Sequence, residues 1–351
     1  MPFSADFDQR LARNNFDLLR LLFAATVGLV HLYELSGFKQ LAWISKYLSS
    51  AIAVQGFFVV SGFLIFMSHE RSASLASYAG KRLRRIYPAY FTIVMLCAFG
   101  LALVSSKTAG EYFSLAWLKY VIANLGFLNF LQLSLPGVFE THRWTAVNGA
   151  LWTLKIEVMF YLSVPVFALL FRRFRHLPVI ALAYLASIGY AEACHFLAER
   201  TGSGLYRELG NQLPGQLSYF MAGAFFYYFR HGFGRSAAYW AGAAALVLTI
   251  DRSLVSVPLL EPLALATLVA FFGLFLYLGN FGRYGDFSYG VYIIHFPVIQ
   301  LLLDAGWRPD RPLSLFCAAA GITAVGAVAM WHLVEKRFLL RGNHYVAAAS
   351  R

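Results

Sequence analysis

The chain has 351 residues, 59% of them hydrophobic and only 13% charged, against roughly 45–50% and 25% in an ordinary soluble domain. Mean hydropathy is +0.61, and a soluble protein of this length has no interior large enough for that much apolar surface. Composition therefore excludes a soluble globular enzyme and points to a polytopic membrane protein. The net charge of +12, from 29 basic and 17 acidic residues, reads as positive loops retained in the cytoplasm, with no nucleic-acid partner.

A bilayer core about 30 Å thick needs about 20 apolar residues per helix. Apolar segments run over 17–36, 50–68, 86–106, 114–133, 150–171, 178–198, 213–230, 236–250, 257–280, 288–305 and 313–338. Basic residues flank them: Arg10 and Arg13, then Arg71, Lys81, Arg82, Arg84 and Arg85. Further along stand Arg172, Arg173 and Arg175, then Arg230 and Arg235, and finally Lys336, Arg337 and Arg341. If all of these are cytoplasmic, one segment before residue 150 does not cross. The segment 114–133, which carries Lys119, Asn124, Asn129 and Gln132, is the one expected to be re-entrant or interfacial.

The expected fold is all-α: a polytopic helical bundle of about ten transmembrane helices with both termini in the cytoplasm. Residues 1–15 form an N-terminal segment, 16–339 the membrane domain and 340–351 a tail. The polar start MPFSADFDQRLARNN is expected to precede an uncleaved anchor. Cys97, Cys194 and Cys317 are scattered without metal-ligand spacing, so no metal site is expected.

Charged groups at membrane depth are costly, and each is a candidate functional residue. In FDLLRLLFAATVGLVHLYELSG, Arg20 and His31 are eleven residues apart, about 16 Å along one helix face. Glu34 follows His31 at i+3, within reach to orient the imidazole. In QGFFVVSGFLIFMS, Ser61 and Gly62 have the small size that close helix packing requires. Lys81, Arg82, Arg84 and Arg85 form a dense basic run with Pro88 at the expected helix start. They fit either ordinary anchoring or the capture of a phosphate-rich ligand.

The run VNGALWTLKIEVMFYL places Asn148, Trp152, Lys155 and Glu157 at a helix entrance. Because Lys155 and Glu157 lie two apart, Glu157 needs another partner. GDFSYGVYIIHFPV offers Asp286 or Ser288 as a helix cap and puts His295 in mid-span. His332 and Glu335, at i+3, have the spacing of an interfacial ion pair. No P-loop, GxSxG elbow, HExxH or GxGxxG stands in a suitable context, which counts against ATP-driven transport, serine hydrolysis and zinc proteolysis.

In chain order these stretches resemble the acyltransferase-3 family of bacterial integral-membrane enzymes that O-acylate surface polysaccharides. FDLLRLLFAATVGLVH resembles its first-helix motif, a basic residue and a His separated by ten positions, here Arg20 and His31. QGFFVVSGFLI resembles its second-helix signature, and KRLRRIYP its arginine pair, here Arg82 and Arg85. LWTLKIEVMFY is similar to its Trp-Ser/Thr-Leu…Glu…Phe-Tyr motif, with Trp152, Thr153 and Glu157. FSYGVYIIHFP is similar to its late region, with Ser288, Tyr289, Tyr292 and His295, and Phe296 stands between His295 and Pro297 where the family has His-Pro.

The resemblance implies an acetyl-CoA or other short acyl-CoA donor from the cytosol. It implies a glycan or lipid-linked saccharide acceptor, and residence among the lipids of the bacterial inner membrane. Arg20, Arg82 and Arg85 then attract the phosphates of coenzyme A. His31 serves as base, with Glu34 or Glu157 orienting it. Ser61 or Tyr289 is a candidate oxyanion donor, and Trp152 and His295 are further candidate site residues. Direct attack on the thioester is preferred to an acyl-histidine relay. The rival readings are a secondary transporter or flippase, which would release no coenzyme A, and a scaffold subunit, which would tolerate loss of His31.

Overall fold

The computed structural model describes residues 10–307 and 310–339; the side chains of residues 231 and 235 are not described. Residues 1–9, the tail 340–351 and with it Arg341 lie outside the described residues. Among the described residues there are helices and turns and no strand.

The main helices are α1 (Phe16–Ser36), α2 (Ser50–Glu70), α3 (Leu75–Gly100) and α4 (Leu115–Leu125). Then follow α5 (Trp152–Phe174), α6 (His176–Thr201), α7 (Leu213–Tyr228), α8 (Ala237–Ser253), α9 (Glu261–Leu274), α10 (Ser288–Asp304) and α11 (Pro312–Met330). Six helices are long and apolar enough to cross a membrane: α1, α2, α3, α5, α6, and α11 with the turns that extend it to Phe338. Four others, α7 to α10, have 16, 17, 14 and 17 residues. At 1.5 Å per residue these rise about 21–26 Å, short of the hydrocarbon core as single helices. Among the described residues the structure therefore shows an all-helical membrane protein with six helices of full spanning length. Helix α4 has only 11 residues, a rise of about 16 Å, and Asn124 near its end is buried with its amide on the carbonyls of Tyr120 and Gln132.

Small residues let the central helices close. A Cβ on Gly62 of α2 would run into the carbonyl oxygen of Phe220 on α7, and a Cβ on Gly223 of α7 into that of Val59 on α2. The two backbones touch through this reciprocal pair, the packing that small residues permit in membranes. Phe160 of α5 and Phe220 stack beside the contact with centroids 4.3 Å apart. On the other side α10 packs between α1 and α11, and its face toward α11 is relieved at Gly290, where a Cβ would meet Ala327 at 2.8 Å.

Helix α3 begins earlier than Pro88 suggests. Ser74 caps it, its Oγ accepting from the Ser77 N–H at 3.1 Å, and the helix runs through Pro88 to Gly100. Pro88 removes one backbone donor without ending the helix. The basic run is consequently helical, and Arg82 and Arg85, three apart, share the face turned into the bundle.

Candidate functional site

Three arginines meet where the sequence brings α1, α3 and the turn before α10 together. Arg20 Nη1 donates to Asp286 Oδ2 at 2.5 Å, and Arg85 Nη2 donates to the same oxygen. The other oxygen, Oδ1, accepts from the Ser288 N–H at 3.1 Å and the Ser288 hydroxyl at 2.5 Å. Asp286 is thus both the local cap of α10 and the charge on which two arginines converge. Burial alone would raise its pKa; Arg20 and Arg85 more than offset this and hold the carboxyl well below the usual range.

Arg85 also faces Glu335, with Nη1 to Oε2 at 3.6 Å, and the Glu335 side chain is 2% exposed. This corrects the pairing of Glu335 with His332. Residues Trp331–Glu335 form a π turn, whose wider winding sends His332 to the exposed side and Glu335 inward. Arg82 stands apart from the carboxylates. Its Nη2 donates to Ser68 Oγ at 3.1 Å, its guanidinium lies 5.6 Å from the Tyr161 ring centroid, and its buried Nε has no partner among the described residues.

These arginines line a cavity together with Ser61, Glu157 and Tyr289. The Glu157 carboxylate accepts from the Tyr161 hydroxyl at 2.6 Å, which supplies the partner that Lys155 cannot be. The Tyr289 hydroxyl is already committed to the Ile86 carbonyl at 3.0 Å, so of the two candidate oxyanion donors Ser61 alone faces this cavity without a recorded bond to another described residue.

His31 lies at the other end of α1 in a second cavity, lined among others by Gln55, Trp152, Asn211 and Gln216. Val54 and Tyr292 border both cavities. The Tyr292 hydroxyl is hydrogen-bonded to Thr153 Oγ1 at 2.6 Å.

The partner of His31 is His295, which corrects the expectation that Glu34 or Glu157 orients it. His31 Nδ1 and His295 Nε2 are 2.8 Å apart, with the rings near-parallel at 22°. His295 Nδ1 in turn lies 3.1 Å from the Val291 carbonyl oxygen, which can only accept. The chain of bonds fixes both tautomers: His295 carries its proton on Nδ1, its Nε2 accepts from His31 Nδ1–H, and His31 Nε2 keeps a lone pair. Gly28 makes room for this contact, since a Cβ there would already sit 3.4 Å from the His295 ring. Phe296 closes the other side edge-on to His31, with centroids 5.3 Å apart, and packs over Gly149. Glu34 sits half-buried near Arg143, and among the described residues neither it nor Glu157 is hydrogen-bonded to His31.

An arginine-lined cavity and an imidazole-lined cavity that share Val54 and Tyr292 suit a reaction of two substrates. A sequence model of an acyltransferase domain matches residues 13–332, nearly the whole chain. The chain belongs to the acyltransferase-3 family. It is similar to an O-acetyl transferase of Shigella phage Sf6, 29% identical over 94% of this chain and 97% of the relative. It is also 28% identical to nodulation protein 10 of Rhizobium leguminosarum bv. viciae, over 92% of each chain. An exopolysaccharide production protein, ExoZ, of Rhizobium meliloti is 27% identical over 84% of this chain and 90% of its own length. No solved structure matches it.

As a member of this family the chain is a membrane acyltransferase. Asp286, Glu335 and Tyr292 were not among the residues that sequence reasoning assigned to the site. Asp286 had a signal, since it precedes Ser288 as a cap, but nothing in sequence links it to Arg20, 266 positions away.

Proposed function

We propose that the protein moves an acetyl or other short acyl group from cytosolic acyl-CoA to a hydroxyl of a surface or lipid-linked glycan. The observation that carries this reading is the His31–His295 pair, which leaves His31 Nε2 with a free lone pair beside a cavity adjoining the arginine cavity. Arg82, with Arg20 and Arg85 beside it, receives the phosphates of coenzyme A by charge-assisted hydrogen bonds. Arg20 and His31 are about 16 Å apart along α1, a span that an extended pantetheine arm covers. The thioester then lies near Tyr292 and Thr153, within reach of a hydroxyl held at His31.

The acceptor oxygen attacks the thioester carbonyl carbon while His31 Nε2 takes its proton. The imidazolium so formed stays bonded through Nδ1–H to His295, whose own proton rests on the Val291 carbonyl. The tetrahedral oxyanion collapses, the carbon–sulfur bond breaks, and the coenzyme A thiolate leaves and takes the proton back from His31. The O-acetyl transferase of the phage and the exopolysaccharide protein support this choice of group and acceptor.

The test is transfer of labelled acetyl from acetyl-CoA in membranes of the native host, comparing wild type with His31→Ala. Alkali-labile label in a glycan fraction, lost in the variant, is the expected result. Equal label in both would remove His31 from the chemistry. Substrate-driven flux without coenzyme A release would favour transport instead.

A further inference from the structure

The cavity at His31 differs in kind from the one at the arginines. Its volume is about 170 Å³, room for several waters at about 30 Å³ each and of the size of one sugar ring. Among the described residues no Lys, Arg, Asp or Glu lines it. Its polar side chains are the amides of Gln55, Asn211 and Gln216, the Ser50 hydroxyl, the Tyr292 hydroxyl and the His31 imidazole, and the indole of Trp152 forms part of the wall.

Two of these amides are unsatisfied. The side-chain oxygens of Gln55 and Gln216 are shielded from solvent and have no hydrogen-bond partner among the described residues. Buried amide oxygens without partners are rare because each forfeits about a hydrogen bond's worth of free energy. Both belong to side chains in the wall of this one cavity, on α2 and α7. The helices that carry them touch backbone to backbone at Gly62 and Gly223.

A ligand that satisfies this site must be neutral, rich in hydroxyl donors, and have an apolar face for the indole. A pyranose ring has all three features, since its hydroxyls donate to amide oxygens and its C–H face packs on Trp152. A phosphate or carboxylate finds no cation here. We infer that Gln55, Gln216 and Trp152 form a subsite for one uncharged sugar ring of the acceptor, holding it so that a hydroxyl meets His31 Nε2. The inference deepens the transferase reading and rests on it for the role of the ligand, whereas the binding itself does not depend on the donor.

The experiment uses the full chain purified in detergent. Its intrinsic tryptophan fluorescence is titrated with oligosaccharides from the host's surface glycan, de-O-acetylated by mild alkali. Wild type is compared with Gln55→Met, Gln216→Met and the double variant, nearly isosteric changes that remove the amides, with circular dichroism checking the fold. Loss of one neutral hydrogen bond weakens binding about three- to tenfold, and the double variant about ten- to a hundredfold. Saturable binding weakened to that extent supports the subsite. Equal binding in all four proteins, or no binding by folded wild type, overturns it. Acetyl transfer from acetyl-CoA is measured separately on wild type. Its failure with glycan binding retained would sink the acyl-CoA reading and leave the subsite standing.

Discussion

Asp286→Asn tests the charge centre most directly. The substitution keeps an oxygen for the Ser288 N–H and hydroxyl, so the start of α10 is preserved. It removes the carboxylate oxygen that Arg20 and Arg85 share, in a group whose side chains are 19%, 15% and 12% exposed for Arg20, Arg85 and Asp286. Deleting one partner of a buried ion pair costs about 3–5 kcal/mol, because the remaining charge stays desolvated and unpaired. Glu335, 3.6 Å from Arg85, and Asp17, 3.9 Å from Arg20, offset part of this.

At about 2 °C per kcal/mol for a large chain, the thermal midpoint in detergent should fall by up to about 6–10 °C. Coenzyme A should act in the opposite direction. With the competing carboxylate gone, its phosphates become the best partners for Arg20 and Arg85, and the stabilisation on adding it should exceed that of wild type. The pH dependence has a definite sign. The Asp286 pKa is depressed on folding, so its contribution is complete above the unfolded value near 4 and is lost only as pH falls through the lower folded value. The acid limb of wild-type stability should therefore flatten in the variant. A midpoint within about 2 °C of wild type, with no change in the coenzyme A shift, would refute the shared-carboxylate argument.

His295→Phe should leave the fold intact and lower turnover about a hundredfold, the lower end for a misaligned general base. His295→Gln, whose carbonyl can accept from His31 Nδ1–H, should recover part of it, and steady-state transfer assays on both variants decide. Arg82→Gln should raise the acetyl-CoA KM about 10- to 100-fold, from loss of one charge-assisted bond, with little change in kcat. Gly223→Ala forces its methyl into the Val59 carbonyl and should cost about 1–3 kcal/mol in detergent denaturation. Gly80→Ala, in α3 with nothing within 4 Å, should be neutral or stabilising by up to about 1 kcal/mol.

The sequence by itself determined the solvent and the ingredients. Hydropathy makes the chain a membrane helix bundle, and the order of its motifs places Arg20, His31, Arg82 and Arg85 in one family's pattern. Spacing along α1 puts Arg20 and His31 about 16 Å apart on one face, because helical rise is a local property. The lengths of four of the helices, 14 to 17 residues, were set by packing and turns and not by the length of the apolar run. What pairs with what was decided only in three dimensions. Glu34 is the nearest carboxylate to His31 in sequence, yet the imidazole bonds to His295, 264 residues on, because Gly28 lets α10 approach α1 closely. Glu335 abandons His332 for Arg85 because one π turn rotates it inward. A buried charge or amide must find a partner wherever the packing allows one, and that packing is set by contacts between helices far apart in the chain.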